Sequence, residues 1–482
     1  MQPVCATEIG APPSGTGSFP QVASLPMAAP TLENERRTIF GWAMYDWANS
    51  AYTTTTLAVL FPALLVDHIV PASGYRLFGL ITVDGEQLGS LVIGFGALVV
   101  FVVSPILGAI ADFSASKKRF LQVTTLIGSM FATSMWFIGA GQVTLAITLF
   151  LFAQMGFVAS VVFYDGFLPD ITTPDTIDRV SSKGFAYGYL GGGLNFLIVL
   201  VFLLLFAGDT GPLSELDGGR IGMGFAGLWW LGFSFVTFAR LRETGTAQAL
   251  PDEYRNSSKV VAYAKVGFRR TVSTTKRLRS FPDLLRYVVA FVLYNDGVQT
   301  VIAIAPFYAK ETLDLETKTL ALGILMVQVI AVAGALFFGR LADRIGTKPA
   351  ILWSIGAWSI VLAWGFAIPA GQAVPFFVLA GLIGLVLGGT QALSRSLYGS
   401  MIPENASAEF YGFFSVFEKF SAIIGPFIFF GVNAATGSSR GAVLSLVVFF
   451  IIGGVLLSRV DVDEARASRL RWSFASDEAE VA

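Results

Sequence analysis

Twelve apolar runs of bilayer-crossing length occupy most of this 482-residue chain, at 39–66, 88–111, 120–140, 142–164, 184–207 and 221–239, and again at 286–308, 319–338, 350–368, 374–397, 410–432 and 441–458. A helix needs about 20 apolar residues to span the hydrocarbon layer, and there its backbone must be hydrogen-bonded within the segment, so each run predicts a helix. A single long interruption, 240–285, splits them six and six. The predicted fold is an all-α membrane protein of twelve transmembrane helices, with an N-terminal bundle over 38–240, a linker over 241–284 and a C-terminal bundle over 285–459. Tails flank these at 1–37 and 460–482. A composition 54% hydrophobic and 13% charged is too apolar for a soluble chain of this size.

The formal net charge of −1 gives no global field for nucleic acid. Its distribution is asymmetric. If the N-terminus is inside, the inside loops collect Lys117, Lys118, Arg119, Arg240, Arg242, the basic run from Arg255 to Arg286, Arg340, Arg344 and Lys348, with Arg466, Arg469 and Arg471 in the tail. Outside stand Arg76, Arg220, Lys310, Lys318 and Arg440, so the excess of Lys and Arg predicts cytoplasmic termini. Residues 1–35 lack a charged segment followed by an apolar core and read as a disordered tail, not a signal peptide. In the linker, Val260, Val261, Ala264, Phe268, Thr271 and Val272 recur at helical spacing opposite Lys259, Lys265, Arg269 and Arg270. That pattern fits an interfacial helix on an anionic surface, and equally a solvated helical linker.

The halves repeat each other. Gly108-Ala109-Ile110-Ala111-Asp112, followed by Lys117, Lys118 and Arg119, matches Gly339-Arg340-Leu341-Ala342-Asp343, followed by Arg344 and Lys348. Tyr164-Asp165-Gly166-Phe167-Leu168-Pro169-Asp170 matches Tyr398-Gly399-Ser400-Met401-Ile402-Pro403-Glu404 at nearly the same offset. Tyr45-Asp46 with Asn49 on the first helix matches Tyr294-Asn295-Asp296 with Gln299 on the seventh. Internal symmetry of this kind is a recurring feature of transporter folds.

The paired Gly-x-x-x-Asp loops resemble the signature loop of the major facilitator superfamily. The strings YDWANSAY (45–52), YNDGVQT (294–300), GRLADRIGTK (339–348) and GGTQALSRSLYGSMIP (388–403) resemble the branch holding the fungal autophagy-related vacuolar amino-acid effluxers and many uncharacterised bacterial members. The resemblance covers 39–458 apart from most of the linker. It implies a secondary transporter with helices one, four, seven and ten around a central cavity, an amino acid or similar zwitterion as substrate, and a bacterial inner membrane as location. It also implies that Gly108, Asp112, Lys117, Lys118, Gly339, Asp343, Arg344 and Lys348 latch the cytoplasmic ends of the halves together. Topological signalling is their simpler role.

An ionisable side chain in the hydrocarbon layer costs about 2.5–3.5 kcal/mol on insertion scales, so such residues face protein or water. Helices three, six, nine and twelve contain none, whereas Asp46 lies in the first, Asp296 in the seventh, and Glu418 beside Lys419 in the eleventh. Residues three or four apart share a helix face, which aligns Tyr45, Asn49 and Tyr52 in one stripe and Asp46 with Asn49 in the next; Asn295 and Gln299 pair likewise beside Tyr294. At 1.5 Å per residue Asp46 lies roughly 10 Å and Asp296 roughly 15 Å deep. These residues, with Gln154, Gln391 and Arg395, form the candidate substrate cavity, and Asp46, Asp296 and Glu418 the candidate ion-coupling groups, for a proton or sodium. Hydrogen bonding between helices is the alternative for both aspartates and both glutamines, and snorkelling to the inner surface for Arg395. Single residues of His (His68) and Cys (Cys5) exclude the common zinc arrangements, and no Walker loop is present, so no enzyme activity, metal or cofactor is expected. A receptor or scaffold that keeps the fold without transport is the rival reading.

Overall fold

The computed structural model describes residues 33–77, 79–208, 211–243, 258–421 and 424–470. Cys5 with most of the leader, Arg255 with the first part of the linker, and Arg471 with the end of the chain lie outside the described residues. The N-terminal half consists of α1 Arg36–Ile69, α2 Gly85–Phe113, α3 Lys117–Phe137, α4 Val143–Ile171, α5 Ile177–Phe206 and α6 Glu215–Arg240. A linker helix, Lys259–Arg277, leads to α7 Pro282–Phe307, α8 Thr317–Ile345, α9 Thr347–Ala367, α10 Ala373–Met401, α11 Glu404–Thr436 and α12 Ser439–Ser458. A short tail helix, Val462–Arg469, follows. Two strands, β1 Tyr75–Leu77 and β2 Ile81–Val83, form an antiparallel hairpin between α1 and α2.

Several helices outrun the apolar segments that predict them, mostly at the end carrying the signature loops, here called the basic end. α5 begins at Ile177 rather than 184, α8 continues to Ile345, and α4 reaches Ile171, which takes Asp165 inside a helix. An apolar run measures the thickness of hydrocarbon. A helix continues beyond it wherever its polar residues find partners, and here the opposite half supplies them.

Both halves use the same packing plan. α1 lies on α5 and α6 as α7 lies on α11 and α12; α3 packs on α4 as α9 packs on α10. The halves meet where α2 packs on α11 and where α5 packs on α8 and α10. Small residues allow these approaches. A Cβ at Gly108 would stand 2.8 Å from Glu409 Cα on α11, and one at Gly191 of α5 would stand 2.8 Å from Trp47 Cα on α1. Large apolar side chains such as Phe337, Trp353, Ile360 and Phe430 are exposed on the perimeter, as lipid contact requires. Over Tyr52–Leu60 the hydrogen bonding of α1 widens to π-helical, with the Phe61 N–H reaching Thr56 O, a local irregularity that often marks a functional segment.

The linker helix packs along the last turns of α2, burying Ala262, Val266, Gly267, Arg270 and Thr274. Tyr263 meets Phe113 edge-on at 6.0 Å. Arg270, assigned from sequence to the lipid-facing basic side, instead points into the protein, because it lies four residues after Val266 on the packed face.

Candidate functional site

At mid-depth between the halves lies a cavity of 260 Å³, a little smaller than the usual ligand pocket of about 300–1,000 Å³. Its polar lining comes from α1 (Asp46, Asn49, Ser50, Thr53, Thr54), α4 (Asp165), α5 (Tyr189), α7 (Asn295), α8 (Gln328), α10 (Gln391, Arg395) and α11 (Ser415, Glu418, Lys419). Three carboxylates and two cations thus share one small volume.

Arg395 forms the floor. It is buried, and its Nη1 lies 3.1 Å from Asp165 Oδ1 and 3.3 Å from Asp46 Oδ2. Nε donates to Ser181 Oγ and Nη2 to Ser181 O, both at 3.0 Å. The guanidinium stands 4.2 Å from the ring centroid of Phe185 and 4.9 Å from that of Trp42, so cation–π attraction adds to the ion pairs. Tyr164 OH donates to Asp46 Oδ2 at 2.7 Å, and Trp42 Nε1 donates to Tyr164 O at 2.9 Å, which fixes the ring. One C-terminal-half cation therefore holds two N-terminal-half carboxylates. Arginine suits this position because its planar fork engages several acceptors at once and stays charged when buried.

Α helical stripe decides which of the expected residues reach the cavity. Asp46, Asn49, Asn295, Gln391, Arg395 and Glu418 line it. Tyr45 does not: its OH pairs with Thr125 Oγ1 on α3 at 2.8 Å. Tyr52 donates to Gln154 Oε1 at 3.3 Å and packs on Trp230, so both Tyr52 and Gln154 face the interior of the N-terminal half. Each residue turns a helix by about 100°, which moves Tyr45 off the face carrying Asp46, and Tyr52, about two turns beyond Tyr45, lies on the same side as Tyr45. Tyr294 pairs with Ser394 Oγ at 2.7 Å, and Gln299 is half-buried outside the lining. Asp296 is buried away from the cavity, accepting the Gly425 N–H at 3.0 and 3.1 Å from its two oxygens. Asn295 Nδ2 donates to Ser421 Oγ and Tyr189 OH donates to Gln391 Oε1 at 2.5 Å. The Asn49 amide nitrogen, buried in the wall, has no partner among the described residues.

Sequence reasoning missed Asp165, Ser181, Trp42 and Phe185. For Asp165 a signal was present, since Tyr164-Asp165 repeats the Tyr-Asp order of Tyr45-Asp46; placing the end of the fourth run at 164 left it outside the membrane.

Below the floor, the signature loops lie on the seam. Asp112 accepts the Glu409 N–H at 2.8 Å and the Ala408 N–H at 3.3 Å, capping the start of α11 across the halves, where a helix N-terminus favours negative charge. Lys117 Nζ binds Asp170 at 2.7 Å, Ser407 Oγ at 2.6 Å and Asp112 at 3.2 Å. Lys118 contributes its backbone N–H to Glu243, whose carboxyl burial pushes above the ordinary range. In the other half a Cβ at Gly339 would stand 2.8 Å from Ser182 Cβ, while Asp343 pairs with the exposed Arg179 at 3.1 Å. Lys348 Nζ donates to Ser458 O and Val460 O at 2.9 and 2.8 Å, within its own half, and Arg344 is exposed. The contacts joining the halves reach as far up as Gln328 Nε2 donating to Thr54 Oγ1 at 2.6 Å.

Residues 34–469 match the family described as "Vacuole effluxer Atg22 like". The chain belongs to that family, a branch of the major facilitator transporters. It is 29% identical over 419 residues to an uncharacterised MFS-type transporter, YxiO, of Bacillus subtilis (strain 168), covering 87% of this chain and 94% of that one. Autophagy-related protein 22 of Cryptococcus neoformans var. neoformans serotype D (strain B-3501A) is 26% identical over 315 residues, 62% of this chain and 56% of the fungal one, so the alignment spans about half of the fungal protein. Among solved structures, the human organic anion transporter MFSD10 superposes with a TM-score of 0.66 at 14% identity, covering 88% of this chain and 99% of that chain. The proton:xylose symporter XylE gives 0.63 at 14% identity, covering 88% and 95%. At that identity the likeness is one of fold.

Proposed function

We propose that this protein is a secondary active transporter that moves a small zwitterion, an amino acid or similar solute, by alternating access, with proton coupling through Asp46 and Asp165. The observation that carries this is Arg395 holding both carboxylates at the floor of the cavity. A solute carboxylate competes for Arg395, and a solute amine competes for Asp46 or Glu418. Protonating either aspartate weakens the clamp that keeps the basic end shut. Release of that end and closure of the other complete the cycle by rocking one half on the other. Sodium is the competing coupling ion, and a gradient experiment separates the two.

The concentration of Lys and Arg at the basic end supports a cytoplasmic placement for that end and both termini, in a bacterial inner membrane, with the present state closed to the cytoplasm. Asp296 takes a different role from the one its sequence position suggests. By accepting the Gly425 N–H it braces α7 against α11, and coupling passes to the Arg395 clamp.

The test is uptake of labelled amino acids, sugars and organic anions into proteoliposomes under an imposed pH or sodium gradient, beside counterflow without a gradient. Amino-acid accumulation driven by the pH gradient is expected. Failure of every solute in both formats would favour a receptor or scaffold instead.

A further inference from the structure

The linker helix has a second face that the bundle leaves uncovered. Around the helix, Ala262, Val266, Arg270 and Thr274 meet the protein, whereas Val261, Ala264, Phe268 and Val272 form an exposed apolar stripe on another side. Phe268 is 60% exposed. Lys265 and Lys276 are exposed along one edge of that stripe, and Arg279 follows in the next turn. An apolar stripe bordered by cations, on a helix packed against the last turns of a membrane helix, matches the boundary between acyl chains and anionic headgroups.

The protein-facing side of the same helix crosses the seam between the halves. Gly267 seats it on α2 of the N-terminal half, where a Cβ would stand 3.1 Å from Ile106 O. Arg270, stacked 5.7 Å from the Phe113 centroid, places Nε 3.7 Å from Glu409 Oε2 on α11 of the C-terminal half. Glu409 is fully buried, so the Arg270 charge offsets the cost of desolvating its carboxylate. It also adjoins the α11 start that Asp112 caps. Separating α2 from α11 at the basic end has to break either the Gly267 seat or the Arg270–Glu409 pair.

We infer that the linker helix is a docking surface for anionic lipid and that it couples the charge of the adjoining leaflet to the closed state of the basic end. Lipid holds the outer face, and the Arg270–Glu409 pair carries that hold across the seam. The coupling rests on the alternating-access reading; the lipid contact does not.

The test uses the full chain in nanodiscs of phosphatidylcholine alone or of an equal mixture with phosphatidylglycerol. With Cys5 replaced by serine, a spin label at Ala264→Cys reports depth, and labels at Arg119→Cys and Ile345→Cys report the separation of the halves. The Ala264 label is expected to be reached by oxygen and shielded from an aqueous nickel chelate. Phosphatidylglycerol is expected to raise the ratio of closed to open populations by up to about fivefold per lysine engaged. Lys265→Glu with Lys276→Glu, both on the surface and harmless to folding, should remove that rise. Arg270→Gln should keep the depth signal and lose the rise. A nickel-accessible label, or one shielded from both reagents and hence covered by protein, overturns the lipid contact. Distances that ignore phosphatidylglycerol while the depth signal stands, or a rise that survives Arg270→Gln, overturn the coupling alone.

Discussion

Arg395 shows how a residue's worth depends on what it would leave behind. Removing one partner of a buried ion pair costs about 3–5 kcal/mol, because the remaining charge stays desolvated. Here two carboxylates would remain. Asp46→Asn and Asp165→Asn are therefore expected each to abolish accumulation driven by a pH gradient while counterflow persists, since a neutral amide still accepts a hydrogen bond but no longer titrates. Gradient-driven accumulation at the wild-type level in both would remove these residues from coupling. Asp296→Asn is expected to keep accumulation and to lose about 1.5–3 kcal/mol of stability, the range for a hydrogen bond to a charged group, read as a lower melting temperature in detergent. Gly184 guards the same clamp from α5. A Cβ there would stand 2.7 Å from Trp42 and 2.9 Å from both Arg395 Nη2 and Asp46 Oδ2, so Gly184→Ala should shift the halves apart at the basic end by about 1–3 kcal/mol of overpacking. Spin-label distances unchanged from wild type would contradict this.

Among elements, the two signature loops are matched in sequence and unequal in contact. Asp112 is buried and caps α11 with two backbone N–H groups, whereas Asp343 meets an Arg179 side chain that is 68% exposed. A charge at a partly buried helix N-terminus contributes up to about 2 kcal/mol, an exposed ion pair about 0–1. Asp112→Asn should accordingly change the ratio of closed to open states by up to about thirtyfold, and Asp343→Asn by at most about fivefold. Distances between labels on α3 and α8, measured in the two variants, check the order; equal shifts would mean that the loops act through charge alone.

For the whole molecule, orientation follows from charge, so impermeant labelling of cysteines introduced at Gly79, Pro212, Asp314 and Gly437 is expected from outside intact cells. Cysteines at Arg119 and Gly346 should react after permeabilisation. Strong outside labelling at Arg119 would invert the topology and, with it, the side to which the cavity is closed. The seam explains why this matters: the polar contacts between the halves run from the signature loops to Thr54–Gln328, so whichever side holds the basic end is the sealed one.

Apolar runs of membrane length and their six-and-six division were sufficient to specify a twelve-helix, two-bundle fold, because the bilayer imposes one backbone solution on any such run; the transporter reading came from the resemblance of the paired Gly-x-x-x-Asp loops to the major facilitator signature. Period alone placed Asp46 and Asn49 on a shared polar face, and both line the cavity. It could not rank the adjacent stripe, so Tyr45 and Tyr52 required the positions of α3, α4 and α6 before their direction was settled. Asp296 illustrates the same limit, since depth along a helix follows from counting residues whereas rotation about its axis depends on which neighbour packs against it. The pairing of Arg395 with Asp46 and Asp165, 349 and 230 positions away, was decided by the tertiary structure alone. Local periodicity carries information over a few turns, and contacts between halves arise only when two independently formed bundles are brought face to face.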